Sequence, residues 1–259
     1  MNVRSSLKAD PSPPNLDAAA LWNLRLDLAA AFRICAQMNW HESVGNHFSA
    51  AVSADGKKFL MNPKWQHFGA IRARDLLLLD ADDPDVMQRP NAPDASAWTV
   101  HGTIHRSRPA LRVLLHAHTP YATALSTLKD PSMKPLDNNT ARFYGDLAID
   151  TGFGGISDEA EEGARLAAAL GSCSCLMMGN HGISVSGVTV AEAFEKLYFF
   201  EKAAQTLMIA YASGQPLNVL SHDVAQRTAA GWHDYSGMAT AHFDYLKSQL
   251  DRTDPSWRD

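Results

Sequence analysis

Long hydrophobic runs are missing from this chain of 259 residues. No stretch approaches the ~18 apolar residues of a membrane-spanning helix. The N-terminus is polar and carries prolines, where a secretory leader would be charged and then apolar. Neither a membrane nor a secreted location is expected. Cysteine is scarce: Cys35, Cys173 and Cys175 make an odd number without a spaced framework, which argues against a disulfide scaffold and for a reducing compartment, the cytoplasm. Cys173 and Cys175 are spaced as two metal ligands can be, but free cysteine packs as a small hydrophobe and the pair fits a buried strand. Positive charge is not in excess. With 23 Lys and Arg against 28 Asp and Glu the formal net charge is −5, so no nucleic-acid partner, which would ask for a clustered basic face, is expected. Thr151 to Gly155 is rich in glycine but lacks the spacing of a phosphate-binding loop. No internal repeat or low-complexity segment occurs. At 46% hydrophobic and 20% charged residues the chain can bury the core of one large α/β domain. A small molecule is the expected partner.

The order of elements follows from periodicity and punctuation. Residues 1–16 hold Pro11, Pro13 and Pro14 among polar residues and read as a flexible arm. Asp17 caps a helix from Ala18 to Met38, whose Leu21, Leu24, Leu28, Phe32 and Cys35 recur at intervals of three and four. A hairpin turns at Asp55-Gly56, and Asp75 to Asp80 reads as a strand. Ser157 to Leu170 is an expected helix stopped by Gly171. Thr189 and Glu192 have capping-box spacing and open a long helix from Val190 to about Ala212. Phe194, Leu197, Tyr198, Glu201, Leu207 and Met208 give that helix more apolar surface than one face needs, so a subunit contact is expected there. Residues 215–259 read as a helical extension, with helical spacing from Met238 to Leu250, that packs on a neighbour or covers the site. Alternating helices and strands argue for an α/β sandwich around a central sheet, one domain spanning 17–259.

Chemistry concentrates where two apolar strands run out. Val113 to Leu115 is β-branched and aliphatic and stops in His116-Ala117-His118 ahead of Pro120. Strand side chains alternate, so His116 and His118 point the same way with roots about 6 to 7 Å apart, close enough to share one ion. Cys175 to Gly182 repeats the pattern, ending in His181 between glycines. Two such strands in one sheet would bring three imidazoles to a common edge, and three histidines with an open fourth position make a catalytic metal site. His101 and His105, four apart on a helix from Thr99 to Arg106, share a face too, but Gly102 stands where a zinc-protease signature has glutamate, so a protease is excluded. Asn39 to Ser49 is a polar loop with His41, Glu42, Asn46 and His47, and its Gly45-Asn46 turn could cradle an anion.

Arg108 to Pro120 and Asn180 to Gly187 together resemble the paired metal signatures of the class II aldolase/adducin family. Gly45-Asn46-His47-Phe48-Ser49 resembles its substrate-binding turn. Leu60 to Pro63, with Asp75 to Asp80, resembles the hairpin and strand that follow. The matches run in family order from about residue 20 to 215. The resemblance implies a single domain, an α/β/α sandwich around a mostly antiparallel central sheet, usually assembled as a homotetramer with the active site at a subunit interface. It implies His116, His118 and His181 as ligands of a divalent metal, Zn foremost and Mn or Fe as alternatives. Asn46, His47, Ser49, Lys64 and Asn180 fall on its substrate side. Two departures stand out. An arginine that usually follows the turn near Ala51 is absent, which argues against a phosphorylated sugar and makes Lys64 a candidate for the lost charge. The aldolase acid/base glutamate, expected about where Ala97 lies, is absent as well. His101 is the candidate for that vacated role, with the Tyr144 hydroxyl as a proton donor.

The function this implies is a metal-dependent lyase that breaks a C–C bond of a small keto or hydroxy acid, by retro-aldol cleavage or decarboxylation, through a metal-stabilised enolate. Two alternatives remain open on the residues alone: an Fe(II)-dependent oxygenase using the same three histidines, and a noncatalytic adducin-like assembly module.

Overall fold

The computed structural model describes residues 15–153, 160–235 and 237–259. In chain order the main elements are α1 (Ala18–Gln37), β1 (His47–Ala51), β2 (Lys58–Met61), β3 (Leu77–Asp80), α2 (Ala95–Ser107), β4 (Val113–Ala117), α3 (Pro120–Ser126) and α4 (Asn138–Ala141). They continue with β5 (Leu147–Asp150), α5 (Ala160–Leu170), β6 (Cys175–Met178), β7 (Gly182–Gly187), α6 (Val190–Ala212), α7 (His222–His233) and α8 (Met238–Thr253). The strands form one sheet in the order β3-β2-β1-β4-β7-β6-β5. Every neighbouring pair is antiparallel except β5 with β6. The mostly antiparallel α/β/α sandwich expected above is therefore the architecture found.

Alternation along each strand decides what lies on either face. Phe48, Ala50, Val113, Leu115, Ala117, Ile183 and Val185 join a core built with α1, α3, α6 and α8. Leu114, Leu176 and Met178 turn the other way, into a smaller cluster with Ile104 of α2 and Leu166 of α5. His47, Ser49 and His116 stand on that second face by the same alternation, with His47 directly opposite His116 in the β1–β4 ladder. Because β4 and β6 are both antiparallel to β7, they run in the same direction and finish at one edge of the sheet. That shared edge carries the histidines.

Several boundaries match the residues that dictate them. Asp17 accepts from the Ala20 N–H and opens α1, and Thr189 accepts from the Glu192 N–H and opens α6. Gly56, at φ +72°, makes the expected hairpin turn. Other expectations need correcting. Of the proposed arm, residues 1–14 lie outside the described residues, as does the expected helix start at Ser157. Asn15 and Leu16 are hydrogen-bonded, to the Ala54 N–H and the Val52 carbonyl. Strands β5 (Leu147–Asp150) and β7 (Gly182–Gly187) were not among the expected elements.

Much of the apolar surface of α6 is used inside the chain, although Ile209 stays exposed. Phe194, Leu197 and Leu207 are fully buried, and α6 contacts α1, α3, α4 and α8. Its Glu201, grouped above with a subunit contact, is buried. Its carboxylate accepts from the Thr119 hydroxyl at 2.6 Å and from the Tyr121 and Ala122 N–H groups at 2.9 Å. A side chain from α6 thus caps the N-terminus of α3, where the first turn of amides otherwise lacks acceptors, and pins the residue that follows His118. The tail also packs on its own molecule: Phe243, Leu250 and Trp257 are 1–2% exposed.

Candidate functional site

The three histidines named from the sequence converge. One nitrogen from each of His116, His118 and His181 lies within 4.8 Å of the others, and His118 Nε2 sits 3.1 Å from His116 Nε2. Their outer nitrogens decide what that distance means. The Ile183 carbonyl, 3.2 Å from His116 Nδ1, can only accept, so Nδ1 carries the proton and Nε2 a lone pair. His118 Nδ1 donates to the Glu42 carboxylate at 2.5 Å, which turns its Nε2 toward the other two histidines. The two Nε2 atoms, 3.1 Å apart, are thus placed as two ligands of one ion are. A donor set of three imidazoles suits a divalent cation, Zn first, with Mn or Fe as alternatives. The residues present fit a metal.

His181 reaches the group from the β6–β7 turn, where Asn180 adopts φ +54°. Gly182 follows because nothing larger fits: a Cβ there would lie 2.7 Å from the His118 ring and 2.8 Å from the Ala117 carbonyl. Two of the three, His181 and His116, are held toward the neutral form by their surroundings. Burial pushes His181 down to about 4 and holds His116 well below the usual histidine range, helped by neighbouring His47, His181 and His118.

A second chain of polar groups lies behind the first. His47 Nδ1 is 2.7 Å from His101 Nε2, His101 Nδ1 is 2.5 Å from Ser49 Oγ, and Ser49 Oγ is 2.7 Å from His105 Nε2. One hydroxyl thus bridges two helix histidines whose spacing placed them on one face of α2. His101, His105 and Ser49 are completely buried. Burial lowers His47 and His105 to about 4 and His101 well below its usual range.

These shifts set an acid limit for the metal-free protein. Each of these imidazoles is neutral in the fold, whereas an exposed one takes up a proton near 6.5. The unfolded chain therefore binds more protons between pH 6.5 and about 4, and stability falls as pH falls through that window. Thermal denaturation of chelated protein should give a flat melting temperature above pH 7 and a steady fall below 6.5. A melting temperature unchanged down to pH 4.5 would show that the imidazoles are hydrated.

The histidines open onto a cavity of about 500 Å³, within the ~300–1,000 Å³ of small-molecule sites. Asn46, His47, Lys64 and Asn180 line it with the three metal histidines. His101 lines it as well, completely buried and tied to His47. Ser49 and Tyr144 are not among the lining residues. Ser49 is spent between two histidines, and the Tyr144 hydroxyl is bonded to His222 Nδ1 at 2.9 Å, beyond α4. Ala97, near which the family glutamate was sought, is turned into a core with Phe59, Met61 and Leu79, while Ser96, Val100 and His101 of α2 face the cavity. Ala51, near which the missing arginine was sought, belongs to the same small core.

Sequence reasoning gave no role to Glu42, which orients His118, nor to Asp94 and Glu162, which line the cavity. Asp94 had a legible signal as the N-cap of α2, accepting from Ser96 and Ala97 N–H groups. Glu42 and Glu162 had none, because their position depends on chain segments brought together by the sheet.

Comparison with known proteins agrees with this geometry. The family model described as Class II Aldolase and Adducin N-terminal domain matches residues 26–208. A putative aldolase class 2 protein of Caulobacter vibrioides is 29% identical over 245 residues, covering 93% of each chain. The decarboxylase NovR of Streptomyces niveus is 24% identical over 239 residues, covering 88% of each. Among solved structures, an aldolase II superfamily protein from Pseudomonas syringae superposes with a TM-score of 0.81 at 30% identity, covering 92% of this chain and 96% of that one.

Proposed function

This chain belongs to the class II aldolase and adducin family, and from that membership we propose that it is a divalent-metal-dependent lyase cleaving a C–C bond of a small keto or hydroxy acid. The observation that carries the reading is the convergence of ring nitrogens of His116, His118 and His181 within 4.8 Å of one another on the wall of a cavity. A noncatalytic module has no use for such an arrangement. An ion held by His116, His118 and His181 would supply the Lewis acidity that polarises a substrate carbonyl and eases breakage of the neighbouring bond.

The chain's own groups do the rest. His47 takes the acid/base role assigned above to His101, because it is partly exposed on the cavity wall whereas His101 is completely buried. With Nδ1 engaged by His101 at 2.7 Å, His47 has Nε2 left to take or give a proton at the substrate. His101, tied in turn to Ser49, holds the ring's tautomer and orientation. Lys64 supplies the cavity's cationic side chain, steadied by Asp94 at 3.8 Å and lying 4.5 Å above the Trp65 ring. Asn46 and Asn180 offer amides to substrate oxygens. A relative named as a decarboxylase keeps carbon dioxide beside an aldehyde as a leaving group. A homotetramer with an interfacial active site is part of the same proposal, supported by exposed Ile209, Tyr235 and Tyr245.

The test is cleavage of keto and hydroxy acids by protein whose bound metal has been measured, with His47→Asn beside it. The variant should retain its metal and lose about 10²- to 10⁴-fold in kcat, the scale of one positioned acid/base group. Unchanged turnover would remove His47 from the mechanism. Predominant bound iron with oxygen consumption would replace the lyase by an oxygenase.

A further inference from the structure

Charge and wall chemistry together narrow what the cavity admits. Its lining carries one cationic side chain, Lys64, against the carboxylates of Glu42, Asp94 and Glu162, and no arginine among the described residues. Lys64 is already shared with Asp94. A phosphate dianion entering here has one side-chain cation to pair with, and its usual fork-like partner, arginine, is missing from the lining. A single carboxylate needs only what is present.

The opposite wall is apolar. Val100 of α2, Leu166 of α5 and Met178 at the end of β6 line the cavity and belong to one cluster with Ile104, Leu170 and Leu176. The two helices lie close because Gly163 faces Thr99: a Cβ at that glycine would stand 3.0 Å from the Thr99 carbonyl. The Phe153 ring extends the apolar lining, 6.1 Å from His181 and half exposed. Polyhydroxylated substrates would find no partners along such a wall, whereas an aryl face would. Two lining groups do lack partners, Asn46 Oδ1 and Thr123 Oγ1. Few polar anchors and a broad apolar wall are the makings of a site for an amphipathic acid.

We propose that this cavity takes a monocarboxylate bearing a bulky, aryl-sized apolar group, and discriminates against sugar phosphates. The carboxylate lies toward Lys64, and the apolar group lies against Val100, Leu166 and Met178. The inference rests on reading the site as that of a lyase, so binding and cleavage are measured separately. Titration calorimetry on the full chain, with its zinc content fixed, compares phenylpyruvate, pyruvate and dihydroxyacetone phosphate. Phenylpyruvate should bind at least about tenfold tighter than pyruvate, the scale of a filled apolar pocket, and dihydroxyacetone phosphate more weakly than phenylpyruvate. Val100→Ser and Phe153→Ala should each bring the phenylpyruvate-to-pyruvate ratio toward one. Phe153 is half exposed, so its variant does not put folding at risk. Equal affinities for the two keto acids, or tightest binding of the phosphate, would overturn the proposal. Retention of the affinity order without any cleavage would support the ligand class and count against the lyase.

Discussion

Replacing His116 with alanine should empty the metal centre, taking bound metal from near one equivalent per chain to below a tenth, with cleavage falling on the order of 10³-fold or more. Loss of an outer partner of a metal ligand alone costs about 10- to 100-fold in affinity, and His116 is itself one of only three donors. The side chain is 3% exposed and engaged at both nitrogens, by Ile183 on one side and by His118 across the site on the other. Alanine keeps the strand, because Leu115 and Ala117 still fill the opposite face. Circular dichroism should therefore be unchanged while elemental analysis changes. Metal content equal to that of the unaltered protein would sink the assignment of the centre, and the lyase with it.

The centre was legible because its rule is local. Two-residue alternation puts His116 and His118 on one side, and a histidine between Asn180 and Gly182 marks a tight turn at the end of a second apolar run. What brings the turn to the strand is β7, paired residue for residue with β4 from Ala117↔Ile183 to Val113↔Gly187. That strand was not among the elements expected from the sequence, so the sequence pointed to the histidines that converge without the element that joins them.

The proposed acid/base role moves from His101 to His47 for a similar reason. His101 and His105 were legible as one face of α2, but which residue stands between that face and the cavity depends on β1 packing beneath it. Cross-strand pairing of His47 with His116 sets His47 in front, and Ser49, two residues on, falls between the helix histidines rather than at the substrate. Position 97 shows the same limit, since a one-residue step on a helix turns a side chain by about 100°. Ala97 faces the core while Ser96 faces the cavity. Charged partners such as Glu42 carry no period at all, and only the folded chain reveals them.

Removing residues 238–259 should leave a chain that aggregates or is rapidly proteolysed, because the tail is part of the core. Phe243, Leu250 and Trp257 are each 1–2% exposed, and burying such side chains contributes about 1.5 to 3 kcal/mol apiece. Their loss alone approaches the ~5–15 kcal/mol that holds a typical domain together. Arg33 adds to the cost. Its guanidinium donates to the Ile71 carbonyl at 2.7 Å and to Asp254 at 2.8 Å, and truncation leaves a nearly buried cation without its carboxylate. Trp257→Ala provides a soluble readout of the same effect. A cavity of that size should cost about 3 to 5 kcal/mol, or a fall on the order of 10 °C in Tm for a chain of this length. If the truncated protein instead stays soluble, unfolds at the same temperature and keeps its metal, α8 is an appendage, and its apolar residues belong to a contact with another subunit, as its sequence first suggested.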